Sequence, residues 1–338
     1  TKVKADLALL WNCPDNWSLS EAATVPCVYG TVYYAFFMTT QIEKGKSILI
    51  HSGTGGVGLA AIRVAFAYGL DVFTTVSTDE KKNFLLQLFP QLKAENIGNS
   101  RDTTFEKMIM ERTRGKGVDF VLNSLAEEKL QASIRCLGHR GKFLEIGKFD
   151  MEKDTKIGMS AFLKELSFHS VMLDKLFSAP DSMKNLLKKM IDNDIKSGII
   201  KPLKTNVFPA TQVEQAFRLL ASGRHMGKVI VQVREKESDN MTLPISVLPR
   251  VYCHPDHSYI IPGGLGGFGL ELADWLVMRG CRKIILSSSR GVKKSYQAYR
   301  IKIWESYGVT IIVSTSDIAT RDGCEKLIKD ALKLGPVG

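Results

Sequence analysis

Ser47-Ile48-Leu49-Ile50-His51-Ser52-Gly53-Thr54-Gly55-Gly56-Val57-Gly58, continued by Leu59-Ala60-Ala61-Ile62-Arg63-Val64-Ala65-Phe66, is the stretch that decides the fold. Residues 47–51 form an apolar run of strand length. Val57, Ala60, Ala61, Val64, Ala65 and Tyr68 then recur at helical spacing, so the glycines lie on a strand-to-helix turn. In that context Gly53, Gly55 and Gly58 fit G-x-G-x-x-G: a tight turn, a place where backbone approaches a diphosphate, and a close helix–strand contact. Gly56 and Val57 complete the loop, and the unpaired N–H groups and partial positive charge of the first helix turn suit the phosphates of a dinucleotide. The glycine spacing alone would say little, because any loop needing positive φ also selects glycine. The strand before it and the amphipathic helix after it make the case.

The design recurs at residues 259–279, with Gly264, Gly266 and Gly269 in register and Phe268, Leu272, Trp275 and Leu276 as the expected apolar face. Two cofactor sites in one chain point to a multistep reductase. Ser18 and Glu21 suggest a capping box, and residues 25–38 a buried helix. Beyond the first loop, strands are expected at 72–76, around Ile97, and at 118–122, 142–146 and 167–173, with helices at 84–88, 105–111 and 130–137. A helix at 182–193 and a strand, helix and strand at 204–208, 213–220 and 228–233 follow. The second unit continues with strands at 284–288 and 309–314 and helices at 296–307 and 323–334. This alternation is that of an α/β protein with two Rossmann-like, doubly wound parallel-sheet units. Residues 234–257 carry Pro244, Pro249 and Pro255 and lack periodicity, so they read as a linker between units at 1–233 and 258–338.

Hydrophobic residues make up 44% of the chain and charged residues 24%, as in ordinary soluble globular proteins. No run reaches the ~18 apolar residues of a membrane span, and the residues after Thr1 do not read as a charged-then-apolar leader; the chain is expected to be a piece of something longer. Six scattered cysteines without C-x-x-C spacing argue against zinc ribbons and a disulfide framework, and for a reducing, cytoplasmic setting. A net charge of +11 is spread rather than concentrated, so it suggests phosphate-bearing cofactors and an acidic carrier protein rather than nucleic acid, with a plain solvated basic surface as the rival explanation. Cys253, His254 and His257 are read as linker residues, and no metal is expected.

Nicotinamide cofactors are told apart about 20 residues past the glycines, where a carboxylate selects NAD and a cation NADP. In the first unit this zone, Ser77-Thr78-Asp79-Glu80-Lys81-Lys82, offers both signs: Asp79 would favour NAD if it ended the strand, and a helix start at Thr78 or Asp79 explains it equally well. In the second, Ser287-Ser288-Ser289-Arg290-Gly291-Val292-Lys293-Lys294 has hydroxyls and cations without an acid, which favours NADPH.

Three stretches, residues 50–58, residues 119–133 and Phe143-Leu144-Glu145-Ile146-Gly147-Lys148-Phe149-Asp150, closely resemble the enoyl reductase domain of animal multifunctional fatty acid synthase, and residues 258–275 resemble the start of its ketoreductase domain. The resemblance implies a zinc-independent medium-chain reductase fold without its N-terminal substrate domain, then a truncated short-chain reductase fold ending before the Ser, Tyr and Lys of ketoreduction. It also implies NADPH at both sites, enoyl thioesters on an acyl carrier domain as substrate, and a homodimer. A highly reducing polyketide synthase module and a non-catalytic NADPH-binding module are the rival readings.

By the same resemblance, Lys148 and Asp174 are the candidates for proton delivery, each just past the carboxyl end of a sheet strand, where ligands bind in such folds. Lys81, with Ser77 beside it, matches a lysine placed for the 2′-phosphate, and Asn123 and Ser124 end a strand over the expected nicotinamide position. In the second unit Arg290 stands one place later than the usual arginine, and Asp317 matches an acid that meets adenine, with helix capping as its alternative. Tyr33 and Tyr34, near the nicotinamide in relatives, read as core packing and are not assigned to catalysis.

Overall fold

Ile48 and Ile50 pack into one apolar cluster and Leu49 into another, all three with no exposed surface, as a strand covered on both faces requires. They belong to β1 (Ser47–Ile50), at the centre of a sheet with β2 (Asp71–Val76), β3 (Ile97–Asn99), β4 (Val118–Asn123), β5 (Leu137–Glu145) and β6 (Ser167–Ser170). The computed structural model describes residues 5–234 and 251–338, and its contacts divide into two units between Leu243 and Pro244. In the first unit the strand order is β3-β2-β1-β4-β5-β6, every pair parallel. Order therefore reverses between β1 and β4, which opens a crevice at their carboxyl ends. The helices Pro26–Tyr33, Gly56–Ala67 and Asp181–Lys196 contribute to the core on one face, and Phe105, Ile109, Leu130 and Ile134 to that on the other.

Several expectations shift. The helix expected to reach residue 137 ends at Arg135, and β5 begins at Leu137, five residues before the expected strand. Leu137 is fully buried and pairs with Val118; its spacing from Leu130 and Ile134 imitates a helical stripe. β6 stops at Ser170, and Asp174 lies in the following 3-10 turn, Leu173–Ser178. The 25–38 helix is α-helical only over Pro26–Tyr33 and continues as a π-helical turn, Tyr34–Thr39. The capping box forms, Ser18 accepting from the Glu21 N–H at 3.2 Å and donating its own N–H to the Glu21 carboxylate at 2.8 Å. β7 (Thr205–Pro209) and β8 (Lys228–Gln232) make a separate parallel pair around the helix Val213–Ala221.

The second unit holds β9 (Tyr259–Ile261), β10 (Lys283–Ser287) and β11 (Thr310–Ser314) in the parallel order β11-β10-β9. Its first helix, Gly267–Met278, buries Gly269, Leu270, Ala273 and Val277; of the expected stripe, Leu272 and Leu276 pack half-buried against this core, while Phe268 is 82% and Trp275 40% exposed. Gly269 must meet the glycine turn, so the buried face is set one position round from the one hydrophobicity suggests. Most of the expected linker, residues 235–250 with Pro244 and Pro249, lies outside the described residues. Among the described residues no helix is long and apolar enough to cross a membrane.

Candidate functional site

The two glycine turns are built alike. Gly53 N–H donates to Thr75 O at 2.9 Å and Gly55 N–H to Ser52 O at 2.9 Å; in the second unit Gly264 donates to Ser287 O at 3.0 Å and Gly266 to Gly263 O at 2.8 Å. Gly263 has φ +65°, and Ser52 takes the same left-handed conformation at φ +55°. A Cβ on Gly58 would sit 2.4 Å from Ser52 O and 2.8 Å from Gly53 Cα; on Gly269 it would sit 2.6 Å from Gly263 O and from Gly264 Cα. A Cβ on Gly53 would strike Thr74 Oγ1 at 2.2 Å, and one on Gly264 would strike Leu286 at 2.8 Å. Gly55, by contrast, would meet only Ser52 O at 3.3 Å, so its outer side is open to a ligand. Gly55 and Gly266 are the N-caps of their helices and neither offers a side-chain acceptor. The amides of Gly56, Val57 and Gly58 are therefore left for an anion.

The strand end past the first loop resolves the mixed charges. β2 stops at Val76, Thr78 caps the helix Asp79–Leu88 through the Lys81 N–H at 3.3 Å, and Asp79 is that helix's exposed first residue. The acid thus belongs to a helix start rather than to the strand end. Ser77 and Lys81 instead line a cleft of 270 Å³ together with Ser52, Thr54, Gly55 and Arg101, closed on one side by Gly223 and His225. Lys81 Nζ donates to Gly223 O at 2.6 Å, and burial, reinforced by Arg101, holds its ammonium below the usual lysine range. His225 Nδ1 is buried without a partner among the described residues, and burial, then Lys81, lowers its pKa. The segment reaches the loop because Gly227, at φ +78°, donates to Thr54 O at 2.8 Å and bridges to Gly55. Arg101 and His225 were not singled out from sequence. Arg101 follows β3 by two residues, a signal in principle; His225 arrives from 140-odd residues downstream and carries none.

At the crevice, Ser124 Oγ bonds Ser52 Oγ across the reversal point at 3.2 Å. Asn123 is turned away: it is fully buried, donates to Glu145 Oε2 at 2.6 Å and Leu125 O at 2.7 Å, and accepts from the Leu125 N–H at 3.3 Å. Its expected cofactor contact is thus corrected, since the side chain is consumed inside the protein. Glu145, 2% exposed, also accepts from the Gly147 N–H at 2.6 Å, and burial pushes its carboxyl up to about 7 despite those two donors. The next residue, Lys148, sets its Nζ 3.5 Å from Asp174 Oδ1 at an exposed position. Tyr33 is wholly buried and donates to Asp194, which also accepts from the Tyr68 hydroxyl at 2.9 Å. His51, which ends the same run as the glycine loop, lies between Thr75 Oγ1 at 2.9 Å and Ser133 Oγ at 2.8 Å, and burial drives its pKa down to about 3.

In the second unit Arg290 is exposed on the loop after β10. Asp317 accepts from the Ala319 N–H at 3.0 Å, while Thr320 rather than Asp317 caps the following helix. The rings of His254 and His257 stack at 4.6 Å, and Cys253 is buried. Among the described residues no three His, Cys, Asp or Glu side chains converge as metal ligands would.

Residues 92–231 match the family model described as zinc-binding dehydrogenase, and residues 257–337 match the KR domain. Among the described residues no donor set fits a zinc ion. A highly reducing polyketide synthase of Glarea lozoyensis is 38% identical over 324 residues, which is 95% of this chain and 12% of that protein. The lovastatin diketide synthase of Aspergillus terreus is 36% identical over 322 residues, 94% of this chain and 12% of that protein. Among solved structures, the CurK enoyl reductase shares 35% identity and a TM-score of 0.57 over 65% of this chain and 64% of that one.

Proposed function

Because the chain has the fold of a medium-chain enoyl reductase followed by the start of a KR domain, the order met in polyketide synthases, we propose that its first unit reduces 2-enoyl thioesters with NADPH inside a highly reducing polyketide synthase. The relatives named above favour this over the animal fatty acid synthase suggested by the motifs, because both are polyketide synthases that match nearly the whole chain. The observation that carries the reading is Lys148 beside Asp174, at 3.5 Å, past the carboxyl ends of β5 and β6 in the sheet whose β1 leads into the glycine loop.

Bound NADPH supplies a hydride for the β-carbon of such a thioester. The amides of Gly56, Val57 and Gly58 hold the diphosphate, and Ser77, Lys81 and Arg101 receive the 2′-phosphate. Lys148 then protonates the α-carbon, and Asp174, 3.5 Å from its Nζ, holds the ammonium in place. The second unit would hold its own NADPH on Gly264, Gly266 and Gly269, with Arg290 and Asp317 at the adenosine side. An acyl carrier domain as partner, a homodimer and a cytoplasmic setting belong to the same proposal; the net charge of +11 suits an acidic carrier, and the free cysteines suit a reducing compartment.

The test is NADPH oxidation by the intact protein with a crotonyl thioester. Wild-type turnover is expected, with Lys148→Ala slowing it about a hundredfold at unchanged NADPH affinity. Tight NADPH binding without any turnover would instead favour a non-catalytic module, and full turnover in Lys148→Ala would remove that lysine from the chemistry.

A further inference from the structure

Resting on that reading, we infer that Glu145 is a positioning residue for the reduction: its buried carboxylate ties the end of β4 to the loop that carries Lys148, while its backbone carbonyl pairs with the exit of β6, and so it fixes where Lys148 stands. The ties are specific. At the end of β4, Asn123 Nδ2 donates to Oε2 at 2.6 Å. At the start of the Lys148 loop, the Gly147 N–H donates to Oε1 at 2.6 Å. At the exit of β6, toward Asp174, the Val171 N–H donates to the Glu145 carbonyl at 2.8 Å. Backbone pairing continues the clamp, with Ile146 N–H donating to Asn123 O at 3.1 Å.

The carboxylate closes in on the residue before Lys148. A Cβ on Gly147 would lie 2.8 Å from Glu145 Oε1, so any side chain there displaces the carboxylate from the amide it accepts from. Asn123 cannot turn over to change partners, because its amide is held from both sides by Leu125, at 2.7 Å through Nδ2 and 3.3 Å through Oδ1. Two fixed donors thus face two oxygens, which an ionised carboxylate satisfies and an amide does not. In Glu145→Gln the oxygen goes to Asn123 and the NH₂ is left facing the Gly147 N–H, so the arm leading to Lys148 is the one that opens. Lys148 itself is exposed, and its ion pair with Asp174 is too weakly sheltered to hold the loop unaided.

The experiment uses the intact protein with Glu145→Gln and, as a second route that keeps the carboxylate but sets a methyl against it, Gly147→Ala. In both, hydrogen exchange of the 146–150 backbone is expected to rise about tenfold while that of β1 and of the helix Gly56–Ala67 stays put. kcat for the crotonyl thioester is expected to fall about tenfold at unchanged NADPH Kd, and to fall no further when either change is added to Lys148→Ala, since both then act through one residue. Unchanged exchange at 146–150, or losses that multiply in the Lys148→Ala background, would overturn the inference. A wild-type protein that binds NADPH but never oxidises it would refute the proposed reaction instead, and the exchange data would still decide the clamp.

Discussion

Replacing Lys81 by alanine should separate NADPH from NADH. The side chain is half-buried, lines the 270 Å³ cleft beside the glycine loop, and shares it with Ser77 and Arg101. A unit charge about 4 Å from a phosphate oxygen is worth ~4 kcal/mol at an effective dielectric constant near 20. Solvent access and salt reduce this to ~1–2 kcal/mol, which is about a 5- to 30-fold weaker NADPH Kd. NADH lacks the 2′-phosphate, so its Kd should stay within about twofold. Arg101→Ala, at an exposed position, should show the same selectivity with a smaller loss. Fluorescence titration of the intact protein with each nucleotide measures both. Because Lys81 Nζ also holds Gly223 O at 2.6 Å, the alternative is that it merely closes the 222–228 segment. Equal losses for NADH and NADPH, or no loss for either, would refute the assignment.

Gly58→Ala should cost about 3 kcal/mol or more in a thermal or urea melt, because the Cβ meets backbone at 2.4 Å, whereas Gly55→Ala, with only Ser52 O at 3.3 Å, should fold normally and lose nucleotide binding. His51 takes up its proton near pH 3 in the fold and near 6.5 once unfolded, so its contribution to stability is full above about 6.5 and lost as the pH falls. Relative to His51→Gln, the wild type should therefore lose about 1.4 kcal/mol per pH unit below that point, and parallel urea midpoints between pH 7.5 and 5 would refute this. Tyr33→Phe should cost about 1–3 kcal/mol by leaving Asp194 a donor short, with turnover unchanged; lost turnover at retained stability would put Tyr33 in the chemistry.

What the sequence determined by itself was everything that depends on local sterics and periodicity. The two glycine loops were legible because G-x-G-x-x-G between a strand and a helix has one economical backbone path, and Gly58 and Gly269 admit no Cβ there. The β–α alternation was legible because strands buried on both faces read as short apolar runs. Where apolar spacing suited two periods, as at Leu130, Ile134 and Leu137, the reading of residues 136–141 failed, since only pairing with Val118 makes Leu137 a strand residue. Tertiary structure alone decided which polar groups meet. Asn123 faces inward because a buried carboxylate at the end of the neighbouring strand needs its donor, and Asp79 starts a helix because β2 has already ended at Val76. Arg101 and His225 join Lys81 because β3 and the return through Gly227 end beside the same loop. Contacts between residues far apart in the chain follow from the packing of whole elements, and no window of sequence contains both partners.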